Sequence, residues 1–193
     1  RIWIVIVMVK LDKIYTRGGD LGITSIGDGA RVNKYDLRVI ACGAVDEANA
    51  AIGLARLHTV GELDAILERI QNDLFDLGAD LCVPATAHEK SRLRVSEGQV
   101  TRLEKEIDHL NGRLQPLSSF VLPGGSAAAA YLHMARTIVR RAERVVCELL
   151  DKEGLDNQAL AYINRLSDLM FVAARYLNNL GNEDVLWKPG ENQ

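Results

Sequence analysis

The sequence predicts an all-α fold, a five-helix bundle behind a glycine-rich N-terminal arm. Three observations carry this. Long segments repeat apolar residues every three or four positions, the period of a helix with one face against a core. The clearest is Ala135, Ile138, Val139, Ala142, Val145, Val146, Leu149 and Leu150. Ser96 and Gln99 form a serine–x–x–glutamine capping box, a helix start signal. Finally, no repeat, low-complexity segment or change of composition divides the 193 residues, enough for one domain with a sizeable core.

At the start, residues 2–9 are apolar but too few to span a bilayer. Lys10, Leu11, Asp12 and Lys13 follow where a signal peptide would need small residues. We expect Met8 to be the natural start, residues 1–9 to be a non-native or disordered leader, and the domain to occupy residues 10–193.

The arm, residues 13–36, holds Gly18, Gly19, Gly22, Gly27 and Gly29 among Thr16, Arg17, Thr24, Ser25, Arg31 and Lys34. Glycines let backbone N–H groups converge into an anion nest, which hydroxyls and cations complete. It is not a Walker loop, since no G-x-x-x-x-G-K-[ST] occurs. A flexible arm is the plainer alternative.

The first helix, about 35–57, is rich in small residues, from Ala41 and Gly43 to Gly53 and Ala55, which let helix axes approach closely. Its small-residue surface also reads as one completed by a neighbouring chain. Asp46 and Asn49 share its polar face. A second helix, about 62–81, places Leu63, Ile66, Leu67, Ile70, Leu74, Leu77 and Leu81 on one face, and residues 83–95 read as a loop. The third runs from the capping box to about residue 110. Its Glu106-x-x-His109 is half of a di-iron bundle motif; with no second copy, His109 reads as a surface residue.

A loop, 112–125, ends in Phe120-Val121-Leu122-Pro123-Gly124-Gly125 before the fourth helix, about 126–152. Gly124, Gly125 and Ser126 there can receive an anion or simply cap the helix. One stripe of this helix carries His133, Arg136, Arg140, Glu143 and Arg144. Like charges at i,i+4 repel by a few tenths of a kcal/mol each, and Glu143 cannot offset three guanidiniums. They face carboxylates from elsewhere or a polyanionic ligand; an ion-paired solvated surface is the alternative. Asp156 or Asn157 caps a fifth helix to about residue 180, with Asn164, Asp168 and Arg175 on one face. The tail, 181–193, is polar apart from Val185, Leu186 and Trp187.

Composition excludes several classes. A net charge of −3 gives no global basic field for nucleic acid or a membrane surface, and 5% aromatics are too few for base-stacking platforms. Cys42, Cys82 and Cys147 are odd in number and widely spaced, which suits reduced thiols in a cytoplasmic protein.

Three separated motifs combine: Tyr15 to Ser25 (YTRGGDLGITS), Arg140 to Arg144 (RRAER) and Asn164 to Asp168 (NRLSD). Together with Val45-Asp46-Glu47 and the Phe120 loop, they strongly resemble the PduO-type ATP:corrinoid adenosyltransferases over residues 10–180. Gly18 departs from the family, which usually has threonine there. The resemblance implies a ferritin-like five-helix bundle assembled as a homotrimer, with ATP and the corrinoid at subunit interfaces. It implies ATP binding by Thr16, Arg17, Gly18, Gly19, Thr24, Ser25 and Lys34 from the arm, completed by Arg140, Arg141, Glu143, Arg144 and Asn164. A magnesium ion would take Glu143 as ligand. Asp46 would pair with Arg136 across the interface, and Phe120 would sit under the corrin ring of cobalamin. A reductase and an adenosylcobalamin-dependent enzyme are the partners it implies. A non-catalytic nucleotide- or anion-binding bundle, acting as a sensor, would use the same arginines without needing Phe120.

Overall fold

The structure is a computed structural model that describes residues 14–84, 93–153 and 158–193. The expectations for residues 1–13, for most of the 83–95 loop and for the Asp156 or Asn157 cap fall outside these described residues.

Five helices form where the periodicity places them: α1 (Leu37–Arg56), α2 (Gly61–Leu81), α3 (Glu97–Asn111), α4 (Ala127–Glu153) and α5 (Gln158–Leu177). Helix α4 lies between α1 and α5; α2 packs on α1 and α3 on α5. None of the described helices is long and apolar enough to cross a membrane. The arm differs from a purely helical reading. It closes into an antiparallel hairpin, β1 (Ile23–Ser25) with β2 (Arg31–Asn33), with Thr24 opposite Val32. The turn follows local chemistry: Asp28 Oδ1 accepts the Ala30 N–H at 2.9 Å and Gly29 takes a φ of 86°, open to glycine without strain.

Local signals explain the helix starts. Asp36 caps α1 by accepting the Arg38 N–H at 2.9 Å. At α3 the capping box is complete, the Gln99 side chain accepting the Ser96 N–H at 2.8 Å. Ser126 caps α4 by accepting the Ala129 N–H at 3.2 Å. That resolves the Gly124-Gly125-Ser126 choice toward a structural cap. Gly125, at φ 96°, is roofed by Asn178, whose side chain accepts the Ser126 N–H at 3.0 Å and donates to the Gly124 carbonyl at 3.2 Å.

The alanines of α1 allow the close helix approach their size implies, and they do so inside the chain rather than on a surface offered to a neighbour. Ala41, Ala44, Ala48, Ala51 and Ala55 are buried inside the chain, in the apolar core that α1 shares with α4. Their size sets close helix contact within the subunit, so they say nothing of a neighbour. Polar groups clasp the remaining helices. Tyr162 of α5 is fully buried and donates to Asp73 of α2 at 2.9 Å; Asp73 also accepts Gln99 at 3.0 Å and pairs with Arg102, both of α3. Burial and the Asp73 charge push the Tyr162 phenol far up, so it stays a donor.

Candidate functional site

The stripe on α4 divides along its length. His133 is buried, not on an open face; its ring meets Phe171 of α5 edge-on at 6.2 Å. Burial and the nearby Arg136 charge push its pKa down, so it is neutral. Arg136 is half-buried, and its Nε is buried with no hydrogen-bond partner among the described residues. Burial and Arg140 both act to lower its pKa. One turn on, Arg140 is exposed, and its guanidinium has no carboxylate among the described residues. Among the described residues Arg144 only reaches back to the Arg140 carbonyl, at 2.9 Å, and of these arginines only Arg141 finds a carboxylate there, pairing with Glu47 of α1. Glu143 accepts a hydrogen bond from Asn164 of α5 at 2.8 Å, and Asn164 in turn accepts one from Arg165 at 2.8 Å. The RRAER and NRLSD motifs therefore meet, and their meeting leaves guanidinium charge in excess.

Arg136 also lines a cleft of about 490 Å³ with Leu117, Ser119, Phe120, Val121 and Phe171. Phe120 is 76% exposed, which rules out the role of a plug over the bundle core. The tail positions it, and sequence reasoning missed how. Val121 bridges Leu186, the Trp187 N–H donates to the Phe120 carbonyl at 2.8 Å, and Ser119 Oγ donates to the Trp187 carbonyl at 2.7 Å. Trp187 then leans against Phe120, ring centres 5.9 Å apart. The apolar triplet in an otherwise polar tail was the signal. Beneath this strand, Arg175 and Asp184 form a buried pair at 2.7 Å. By spacing Arg175 shares a face with Asn164 and Asp168, but the tail buries it.

The arm is pre-shaped by its own cations. Arg31 donates to the Ser25 hydroxyl at 3.2 Å and to the Gly18 carbonyl, while the Gly18 N–H reaches Thr16 Oγ1 at 3.5 Å. The Lys34 amine lies so close over Gly19 that a Cβ there would meet Nζ at 3.0 Å. Arg17, at φ 58°, stacks its guanidinium over Tyr15, 5.7 Å from the ring centre. Among the described residues no hydrogen bond or ion pair of Thr16, Gly18, Gly19, Thr24, Ser25 or Lys34 reaches α4. Asp46 likewise stays apart from Arg136: it is exposed, in a groove between α1 and α2 with Asn49, Phe75 and Gly78.

The two residues of the half-motif on α3 are engaged in ion pairs instead. Glu106 pairs with Arg69, and His109 meets Glu62 at 3.1 Å on the surface. Among the described residues no cluster of His, Cys, Asp or Glu could hold a metal ion by itself.

Comparison with known proteins agrees with this geometry. The family model for cobalamin adenosyltransferase matches residues 14–177. A corrinoid adenosyltransferase of Mycobacterium tuberculosis is 49% identical over 187 residues, spanning 94% of this chain and 96% of the relative. One from Bacillus subtilis is 43% identical over 171 residues, 86% of each chain. Among solved structures, a variant PduO-type ATP:corrinoid adenosyltransferase from Lactobacillus reuteri, complexed with cobalamin and ATP, superposes with a TM-score of 0.85 at 40% identity, covering 92% of this chain and 97% of that one. The chain belongs to the cobalamin adenosyltransferase family, in its PduO-type branch.

Proposed function

We propose that the chain transfers the 5′-deoxyadenosyl group of ATP to cobalt(I) of a corrinoid, forming adenosylcobalamin and releasing tripolyphosphate. The observation that carries this is the pairing of surplus charge with an apolar cleft: Arg136 and Arg140 lack carboxylates beside the cleft where Phe120 stands exposed.

Cobalt(I) is itself a strong nucleophile and attacks the 5′ carbon of ATP, so the protein supplies no nucleophile. The chain's task is to hold that carbon in line with the cobalt and to stabilise the departing triphosphate. Arg140 and Arg144, with Arg141 released from or sharing Glu47, are aimed where that charge develops. Thr16, Arg17, Gly18, Gly19, Thr24, Ser25 and Lys34 hold the nucleotide from the arm. At position 18 the family's threonine hydroxyl is missing; the Gly18 backbone, fixed by Arg31, remains. Magnesium, which binds through one or two carboxylates plus substrate phosphates, fits Glu143, held in place by Asn164. When bound there it would neutralise phosphate charge. Phe120 lies under the corrin, where it excludes water and the lower axial base and so favours the lower oxidation state.

The active unit is a homotrimer with its sites between subunits. Two separations among the described residues support this: no hydrogen bond or ion pair joins Thr16, Gly18, Gly19, Thr24, Ser25 or Lys34 to the α4 arginines, and none joins Asp46 to Arg136. A neighbour placing Asp46 against Arg136 would satisfy the orphaned guanidinium and bring an arm to α4 at once, and closed symmetry would repeat it. The protein works in the cytoplasm with a reductase that supplies cobalt(I) and an enzyme that consumes the product.

Anaerobic incubation with ATP and chemically reduced cobalamin tests the reaction. The expected result is the cobalt–carbon absorbance change with tripolyphosphate released in equal amount. Tight ATP binding with neither product would favour the sensor instead.

A further inference from the structure

Cys42 and Cys82 are 40 positions apart, and the fold brings their sulfurs to 2.9 Å. Cys42 sits in the first half of α1, and Cys82 caps the end of α2. Both are half-buried, whereas Cys147 is exposed on α4. The joint around them is stiff. Arg38, one turn before Cys42 and itself 3% exposed, donates to the Leu81 carbonyl and pairs with Glu153, so three helix ends are tied at this corner.

The corner also carries the arm. The Cys82 carbonyl accepts the Gly27 N–H at 2.8 Å, the only backbone bond between the hairpin and the bundle among the described residues. Gly27 lies so near that a Cβ would come within 2.6 Å of the Val83 side chain. Two residues earlier in the chain stands Ser25.

We propose that Cys42 and Cys82 are a redox modification site, forming a reversible intrachain disulfide that stiffens the corner to which the arm is tied. The oxidant is a low-molecular-weight disulfide of the glutathione class. One sulfur of the pair, Cys82, attacks that disulfide, forming a mixed disulfide and expelling one thiolate, which takes up the proton lost from Cys82. Cys42 then attacks the Cys82 sulfur, and the second small thiol leaves with the Cys42 proton. Two protein thiols are oxidised, and one small disulfide is reduced to two thiols. The order follows from the surroundings: burial first, then the bond to Cys82, push the Cys42 thiol up, so it keeps its proton until the second step. From 2.9 Å, the covalent S–S length of about 2.05 Å needs only small side-chain rotation.

That the stiffened arm alters nucleotide handling rests on the function proposed above; the disulfide and its effect on the arm do not. The test therefore reads chemistry and amide exchange without an activity assay. The intact protein is equilibrated with glutathione and glutathione disulfide, alkylated and digested without reductant. Two of the three thiols should disappear with loss of the mass of two hydrogens, and a Cys42–Cys82 cross-linked peptide should appear. Hydrogen exchange at the Gly27 amide should slow several-fold in the oxidised form and return on reduction. Cys147→Ser should behave like the parent, while Cys82→Ser and, independently, Cys42→Ala should abolish both the cross-link and the slowing. Modification confined to Cys147, absence of the cross-linked peptide, or unchanged Gly27 exchange in a fully cross-linked sample would each overturn the proposal.

Discussion

Two arginine-bearing regions lie within one bundle and differ in how their charge is met. At the tail corner Arg175 is almost fully buried, with Asp184 at 2.7 Å and the Gln115 carbonyl at 2.7 Å, and Asn178 beside it bonds Ser126, Gly124 and Asp184. Along α4, Arg136 has a buried Nε with no partner and Arg140 no carboxylate among the described residues. A buried guanidinium is costly unless paired and hydrogen-bonded. The tail corner meets that condition within the chain, so its charge is structural. Among the described residues the α4 stripe does not, which is the ground for the proposal that ATP and a neighbouring subunit complete it.

The comparison breaks most visibly at Arg175. Arg175→Ala strands the buried Asp184 carboxylate and should destabilise the fold by about 3–5 kcal/mol, read as a lowered midpoint in chemical denaturation. Activity should fall only as unfolding does. Arg140→Ala should do the reverse: turnover should drop by an amount equivalent to about 2.7–4 kcal/mol with the denaturation midpoint unchanged. Arg140→Lys should recover part of it, since the planar fork is lost.

A double-mutant cycle on Asp46 and Arg136, read by the subunit dissociation constant, sharpens the claim that a neighbour satisfies Arg136. A coupling of about 0.5–3 kcal/mol is expected for residues in contact; purely additive effects would remove the pairing. Phe120→Ala should cost no more than about 1.5 kcal/mol, the scale of one aromatic contact, because only Trp187 leans on it. Cobalt(II) spectroscopy on the ATP-loaded variant should show the four-coordinate species gone. Early melting would return Phe120 to a packing role.

The smallest effect is a pH dependence at His133. Its folded pKa lies below the ordinary value, so the folded chain binds fewer protons than the unfolded chain between the two. Stability from this group is whole above about pH 6.5 and declines as pH falls toward the folded pKa. Denaturation curves from pH 7.5 downward, compared with His133→Gln, should show that slope only in the parent.

The helices were legible because each signal was local. Ser96 and Gln99 cap α3 as their spacing says, and the leucines of α2 face the core. What escaped was long-range. His133 and Arg175 sit on faces that their own helices leave polar, and partners distant in sequence meet them: Phe171 of α5 lies against His133 and Asp184 of the tail pairs with Arg175. The alanines of α1 carry no mark telling an intrachain partner from a neighbour. Cys42 and Cys82 meet through a helix pair that no spacing rule reports. Of the site, RRAER and NRLSD announced their shared surface, realised in the bond from Asn164 to Glu143. The Asp46–Arg136 pairing proposed between subunits is not met within one chain among the described residues.

The most direct test compares Arg140→Ala with Arg175→Ala in one experiment. Anaerobic formation of the cobalt–carbon bond from ATP and reduced cobalamin is followed beside the denaturation midpoint of each variant. The account expects Arg140→Ala to lose turnover at full stability and Arg175→Ala to lose stability and turnover together. An Arg140→Ala protein that alkylates cobalt at the parent rate would contradict it, leaving the α4 stripe an ordinary charged surface.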